Sequence, residues 1–127
     1  MKAKKLILSF GIIIVILSIF VFSIIRKNES VYGKYDEFAK CLTNNGVKMY
    51  GAYWCPHCNN QKKMFGDSWK YINYIECSLP NRAGQTEFCK QAGIRAYPTW
   101  EFKNGERIEG ELTLEQLSLY SNCKLEV

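Results

Sequence analysis

Cys55 and Cys58 bracket two residues in the stretch Trp54-Cys55-Pro56-His57-Cys58. Two thiols at this spacing can form and open a disulfide without unfolding anything, provided that the first sits at a helix N-terminus and the second one turn inward. A thiolate at the first position is stabilised there by free backbone N–H groups and by the helix dipole. Exchange then runs by thiolate attack through a mixed disulfide. His57 is the only histidine. Between the cysteines it can stabilise the Cys55 thiolate by charge or hydrogen bonding, which favours the dithiol and makes the disulfide a stronger oxidant. The plainer reading of His57 is a polar first-turn residue on an exposed helix. The pair itself has two other readings. A structural zinc site needs four ligands in spaced pairs. Cys77 and Cys89 are 12 apart and no second histidine exists, so no metal is expected. The other is a permanent structural disulfide, against which stands the redox character of a C-x-x-C that opens a helix after a strand.

The elements needed to position this pair can be read around it. Lys34 to Asn45 has Phe38 and Leu42 at i, i+4 and a stop at Asn44-Asn45-Gly46, which predicts a helix. Val47 to Tyr53 is a compact apolar and aromatic run, expected as a buried strand. Pro56 suits the first turn of a helix that continues from Asn59 to Phe65 and ends near Gly66. Tyr71 to Cys77 is a second strand candidate, Ser78 to Gly84 a loop, and Gln85 to Ala92 a short helix closed by Gly93. Thr99 to Phe102 and Arg107 to Gly110 form a hairpin around Asn104-Gly105. Thr113 with Gln116 is a capping box for a last helix whose apolar stripe is Leu114, Leu117 and Tyr120. The aromatics Tyr50, Tyr53, Trp100 and Phe102 are expected in the core. A βαβ unit followed by a hairpin and a closing helix gives an α/β domain, a mixed sheet with helices on its faces.

The chain has 127 residues, which allows one ordinary domain. Leu6 to Ile25 is a run of 20 residues without charge. As a helix it spans roughly 30 Å, the thickness of a bilayer's hydrocarbon core. Its length, and the step from Ile25 into Arg26-Lys27 with no small-x-small site, favour an uncleaved anchor over a cleaved signal peptide or a core helix. The expected organisation is an N-terminal membrane anchor over residues 1–27, a linker over 28–33 and the folded domain over 34–127. Lys2, Lys4 and Lys5 before the run favour a cytoplasmic N-terminus and an extracytoplasmic C-terminal domain. Five of the 17 basic residues flank this run, and the other 12 match the 12 acidic residues. The folded part is therefore near neutral, which argues against a nucleic-acid partner, while the basic flanks suit anionic headgroups. Six cysteines behind a membrane-crossing segment read as the disulfides of an exported domain.

Trp54-Cys55-Pro56-His57-Cys58, with Tyr97-Pro98 some way downstream, resembles the thioredoxin superfamily over about residues 35 to 123. The resemblance implies a thioredoxin-like fold, with Pro98 in cis beside the cysteine pair and helping to present the substrate chain. Taken alone, Pro98 would be an ordinary strand-start proline. Trp54, Tyr97 and Thr99, which flank the pair and Pro98, are the candidates for a substrate groove; simple packing is the competing role for Trp54. The Cys-Pro-His-Cys sequence is similar to the Dsb-type oxidases. The longer match of Met49 to Cys58, Tyr74-Ile75-Glu76-Cys77 and Tyr97-Pro98-Thr99-Trp100 resembles the thioredoxin-like domain paired with bacterial vitamin K epoxide reductase homologues. In that family the membrane enzyme reoxidises its partner with quinone, and the partner oxidises exported cysteine-containing proteins. One expected span leaves no room for the reductase portion, so a separate membrane partner is implied. No bound cofactor is implied: the redox-active disulfide carries the electrons, and quinone enters only through that partner. Reducing thioredoxins often carry a buried aspartate at the position of Met49, and its absence leans toward oxidation.

Six cysteines allow 15 full pairings, and the sequence alone does not choose among them. The fold implied by the resemblance pairs Cys77 with Cys89 and Cys41 with Cys123 as structural disulfides. A second redox pair at Cys77 and Cys89 is the alternative. The expected function is a membrane-anchored thiol–disulfide oxidoreductase that donates disulfides. Its competitors are a reductase or isomerase of the same fold, and a membrane-tethered binding domain in which the pair is structural.

Overall fold

Neighbouring residues of a strand point to opposite faces of its sheet. Met49 and Tyr50 do so in the computed structural model, which describes residues 11–23 and 33–126. Met49 joins a large apolar cluster with Phe38, Leu42, Phe65, Trp100 and Leu117. Tyr50 joins a smaller one with Cys77, Cys89 and Ile94. The sheet between them has four strands: β1 (Lys48–Gly51), β2 (Tyr74–Glu76), β3 (Thr99–Glu101) and β4 (Arg107–Glu109), in the order β2-β1-β3-β4. β1 and β2 are parallel, with Tyr50 opposite Ile75. β3 runs antiparallel to β1, and β4 antiparallel to β3. The mixed sheet and its flanking helices have the thioredoxin-like arrangement expected from the motifs.

The chain falls into two compact units, residues 1–32 and 33–127. In the first, residues 11–23 form a helix, α1. The expected span over Leu6–Ile25 extends beyond it, and residues 6–10 and 24–25 lie outside the described residues, as does most of the expected 28–33 linker. Among the described residues no helix is long and apolar enough to cross a membrane.

In the second unit the helices are α2 (Asp36–Asn44), α3 (Pro56–Phe65), α4 (Glu87–Gln91) and α5 (Leu114–Ser121). Asp36 and Glu37 lie in the first turn of α2, where the helix dipole favours negative charge. Gly46 follows that helix at φ +75°, a left-handed step that suits glycine. Thr86 caps α4 by accepting from the Cys89 backbone N–H. Thr113 and Gln116 form the expected capping box on α5. Cys41 in α2 is bonded to Cys123 just after α5, a separation of 82 residues, and Cys77 is bonded to Cys89. Cross-links of these loop lengths stabilise a domain by about 2–5 kcal/mol each, mainly by restricting the unfolded chain.

Three expectations shift. The strand expected from Tyr71 starts only at Tyr74, because residues Gly66–Tyr71 wind into a 3-10 segment. Thr43 consumes the intervening backbone groups: its hydroxyl donates to the Tyr71 carbonyl at 2.6 Å and accepts from the Asn73 N–H at 3.1 Å. Tyr53 is 46% exposed instead of buried, since β1 ends at Gly51 and the chain turns toward the cysteines. Tyr120 is also exposed, its ring resting on Phe102 with centroids 5.5 Å apart, so the inward stripe of α5 is carried by Leu117.

Candidate active site

β1 ends at Gly51, and α3 begins five residues later at Pro56. Between them the Cys55 N–H donates to the Ala52 carbonyl at 3.0 Å. Cys55 then serves as the N-cap of α3 in extended conformation, and Pro56 fills the first helical position, where no N–H is needed. The cap is the sulfur itself: Cys55 Sγ accepts from the Cys58 backbone N–H at 3.2 Å. It also lies 3.6 Å from the Tyr97 carbonyl, to which the thiol donates. A helix N-terminus is the backbone setting that stabilises negative charge on sulfur.

Cys58 lies one turn inward and is fully buried, against 4% exposure for Cys55. Both are free thiols. Burial, then the hydrogen bond to Cys55, pushes the Cys58 thiol up to about 12, against smaller opposite effects from the Ala52 backbone and Lys62. Cys58 therefore keeps its proton at neutral pH, and Cys55 is the less buried of the two. Gly51 makes room for this arrangement: a Cβ there would stand 3.0 Å from Cys58 Sγ and 2.8 Å from the Tyr74 ring. In the dithiol form, iodoacetamide at pH 7 is expected to alkylate Cys55 and to spare Cys58 until the protein is unfolded. Peptide mapping reads this, and comparable labelling of both cysteines in the folded protein would contradict the assignment.

Tyr97-Pro98 is a cis peptide bond, and Pro98 is buried. The carbonyl that meets Cys55 belongs to the residue before this proline. Thr99, expected at the groove, is 2% exposed, and its hydroxyl donates to the Ala96 carbonyl at 2.8 Å. Its side chain closes the turn around Pro98 and offers no surface to a substrate. Trp54 and Tyr97 do flank the sulfur, in edge-to-face contact with centroids 6.2 Å apart. The Trp54 indole N–H donates to Ser78 Oγ at 2.8 Å, and the Tyr97 hydroxyl accepts from Gln85 at 2.8 Å.

His57 is exposed on the first turn of α3 and turned toward the far end of the domain's sequence. Its Nδ1 lies 2.6 Å from Glu111 Oε1, an oxygen that also accepts from Asn60 at 3.2 Å. The bond to His57, then that to Asn60, holds the Glu111 carboxyl below the usual carboxylate range. The ring is thus bonded to Glu111 and not to Cys55. Glu111 was not legible in the sequence, being 54 residues away with no spacing rule to link it to His57. Gln61 was missed too. It is buried on the inner face of α3, where it holds the Leu112 backbone and the Trp100 indole. The only local signal was its spacing of three from Cys58. Among the described residues no three His, Cys, Asp or Glu side chains converge as a metal site.

No known protein-family model matches the chain. Over 92 residues, 69% of the chain, it is 39% identical to the thiol-disulfide oxidoreductase LTO1 of Arabidopsis thaliana. The chain spans 24% of that protein's length. Among solved structures it is similar to the thioredoxin of Malassezia sympodialis (Mala s 13), with a TM-score of 0.38 and 21% identity, covering 59% of this chain and 73% of that one. The folded unit has the mixed sheet, flanking helices and cis-proline turn that the motifs led us to expect, and over 92 residues the chain is similar in sequence to part of a thiol–disulfide oxidoreductase.

Proposed function

We propose that the chain is a membrane-anchored thiol–disulfide oxidoreductase that donates disulfides to exported proteins through Cys55 and Cys58. The observation that carries the redox reading is the placement of Cys55. Its sulfur caps α3, meets the carbonyl that precedes cis-Pro98, and has a buried, proton-retaining thiol one turn inward. The sequence similarity to a thiol–disulfide oxidoreductase supports the same chemistry.

The step balances as a two-electron exchange. A substrate thiolate attacks Sγ of Cys55 in the oxidised pair, the Cys55–Cys58 bond breaks, and Cys58 leaves as a thiolate. The second substrate thiolate attacks the mixed disulfide and displaces Cys55. The substrate is left with a disulfide, the protein with two thiols, and the two substrate protons are taken up by Cys55 and Cys58.

The anchor, with the N-terminus cytoplasmic and the domain extracytoplasmic, is supported by the uncharged run Leu6–Ile25 and by Lys2, Lys4 and Lys5 before it. The recharging partner, a quinone-linked membrane protein of the vitamin K epoxide reductase type, is supported by the resemblance of Met49–Cys58, Tyr74–Cys77 and Tyr97–Trp100 to the domains paired with such enzymes. Met49, buried in β1 and unable to carry a proton, favours oxidation over reduction. Equilibration of Cys55–Cys58 with glutathione buffers tests the direction. A potential more oxidising than about −200 mV is expected, and a value near about −270 mV would replace the donor reading with a reductase.

A further inference from the structure

A groove of about 540 Å³ opens beside the reactive sulfur, lined by Trp54, Ser78, Arg82, Gln85, Arg95 and Tyr97. Two of its walls are the immediate neighbours of Cys55. Trp54 precedes it in the chain, and the Tyr97 carbonyl meets its sulfur. A segment lying in the groove is therefore held against the two residues that flank Cys55. The third wall is the loop from Ser78 to Gln85. Ser78 holds the Trp54 indole at 2.8 Å, and Gln85 holds both the Tyr97 hydroxyl and the Ile94 carbonyl, at 2.8 and 2.9 Å. The Arg82 N–H donates to the Tyr53 hydroxyl at 3.1 Å. The buried Cys77–Cys89 disulfide closes the base of this loop. A wall fixed in this way loses little freedom when a ligand binds.

The charge in the groove has one sign. The Arg82 guanidinium lies over the Trp54 ring, 5.6 Å from its centroid. Asn81 and Arg82 hold this position with φ of +56° and +57°, a left-handed conformation that side chains other than glycine adopt at a cost. Among the described residues, neither Arg82 nor Arg95 forms an ion pair. Glu76, the carboxylate that leads into the loop, is engaged by the Tyr74 hydroxyl and the Ser78 N–H, both at 2.8 Å.

We infer that this groove recognises an extended polypeptide segment that carries an acidic side chain close to its reacting cysteine, with Arg82 and Arg95 as the specificity-determining residues. The inference rests on the redox reading of Cys55 and adds a substrate class to it. Trp54 supplies the apolar floor, and the two guanidinium groups supply the complementary charge. Exposed pairs of this kind are individually weak and screened by salt, so the preference is expected to be modest and sensitive to ionic strength.

The test uses the oxidised full chain and two dithiol peptides that differ only in a Glu or Gln beside the first cysteine. The rate of reduction of Cys55–Cys58 is followed for each. At low salt the Glu peptide is expected to react about fivefold faster, and the ratio to fall toward one in about 0.5 M salt. In the double variant Arg82→Gln, Arg95→Gln the ratio is expected near one, and in Arg82→Lys, Arg95→Lys it is expected to be partly kept. Because the ratio is taken within one protein, a loss of folded fraction cancels. Equal rates for the two peptides in the unmodified chain, or a preference that survives the glutamine variant, would overturn the inference. Dithiothreitol is run alongside. Exchange with dithiothreitol but equal peptide rates removes the groove alone; no exchange with dithiothreitol removes the redox reading and the groove with it.

Discussion

Cys55→Ser is expected to abolish disulfide exchange, with a fall in rate of at least about a thousandfold, while the domain stays folded. Serine keeps the N-cap, since its hydroxyl can accept from the Cys58 N–H as the sulfur does. What is lost is the sulfur that forms the mixed disulfide. Cys58 cannot take over, because it is fully buried and retains its proton to about pH 12. Cys58→Ser should fail differently. Cys55 can still be captured by a substrate thiol in oxidising buffer, but no second thiol returns to resolve the adduct, so a mixed disulfide accumulates. Mass spectrometry of the two variants after incubation with an oxidised cysteine peptide distinguishes them. An adduct on Cys55→Ser, or none on Cys58→Ser, would reverse the assigned roles.

The second large effect is structural. Gln61→Leu is expected to destabilise the folded unit by about 3 kcal/mol, although leucine preserves most of the volume. The Gln61 carbonyl oxygen accepts from the Trp100 indole at 3.2 Å and from the Leu112 N–H at 2.9 Å, and its amide donates to the Leu112 carbonyl at 2.9 Å. Leucine leaves all three groups buried without a partner, each at a cost of about 1–3 kcal/mol before relaxation. The expected fall in melting temperature for a domain of this size is about 12–20 °C. Urea titration gives the free energy directly, and a loss below about 1 kcal/mol would show that water or a shift of the chain satisfies these groups. The effect also bears on the site. Gln61 fixes Leu112, whose neighbour Glu111 holds His57, so the same variant should loosen the His57–Glu111 contact.

The parts of this molecule written in short stretches of sequence were legible. The C-x-x-C, Pro56 at the first turn, the Thr113–Gln116 capping box and the turn at Asn104-Gly105 are each set within a few residues by local geometry. The hairpin shows how far this reaches: it forms where Asn104-Gly105 marks it, but as a three-residue loop closed by the Phe102 N–H on the Glu106 carbonyl, in which Gly105 alone takes a positive φ, +82°, and donates to the Phe102 carbonyl. What sequence reading placed wrongly depended on partners far along the chain. Tyr71 and Ile72 have the composition of a strand, but Thr43, from another element, consumes the backbone groups that a strand would use. Gln61 reads as a surface residue of α3 until Trp100 and Leu112 are seen to need it. Tyr53 reads as core because it ends an apolar run, yet it is exposed and its hydroxyl meets the Arg82 N–H, a contact that no local pattern announces. Of the expected site, Cys55, Cys58 and Pro98 lie together, with Trp54 and Tyr97 at their flanks. Thr99 lies inside the turn, and His57 is bonded to a residue that sequence spacing could not supply.

The central claim is that Cys55 and Cys58 form the working redox pair and that the other four cysteines hold the fold. A redox titration in graded glutathione buffers, quenched with acid and mapped by peptide mass, tests it most directly. The predicted result is a reversible two-electron conversion confined to Cys55–Cys58, with Cys41–Cys123 and Cys77–Cys89 oxidised throughout. If Cys55–Cys58 stays locked as a disulfide across the whole range, or Cys77–Cys89 opens and closes in its place, the account is contradicted.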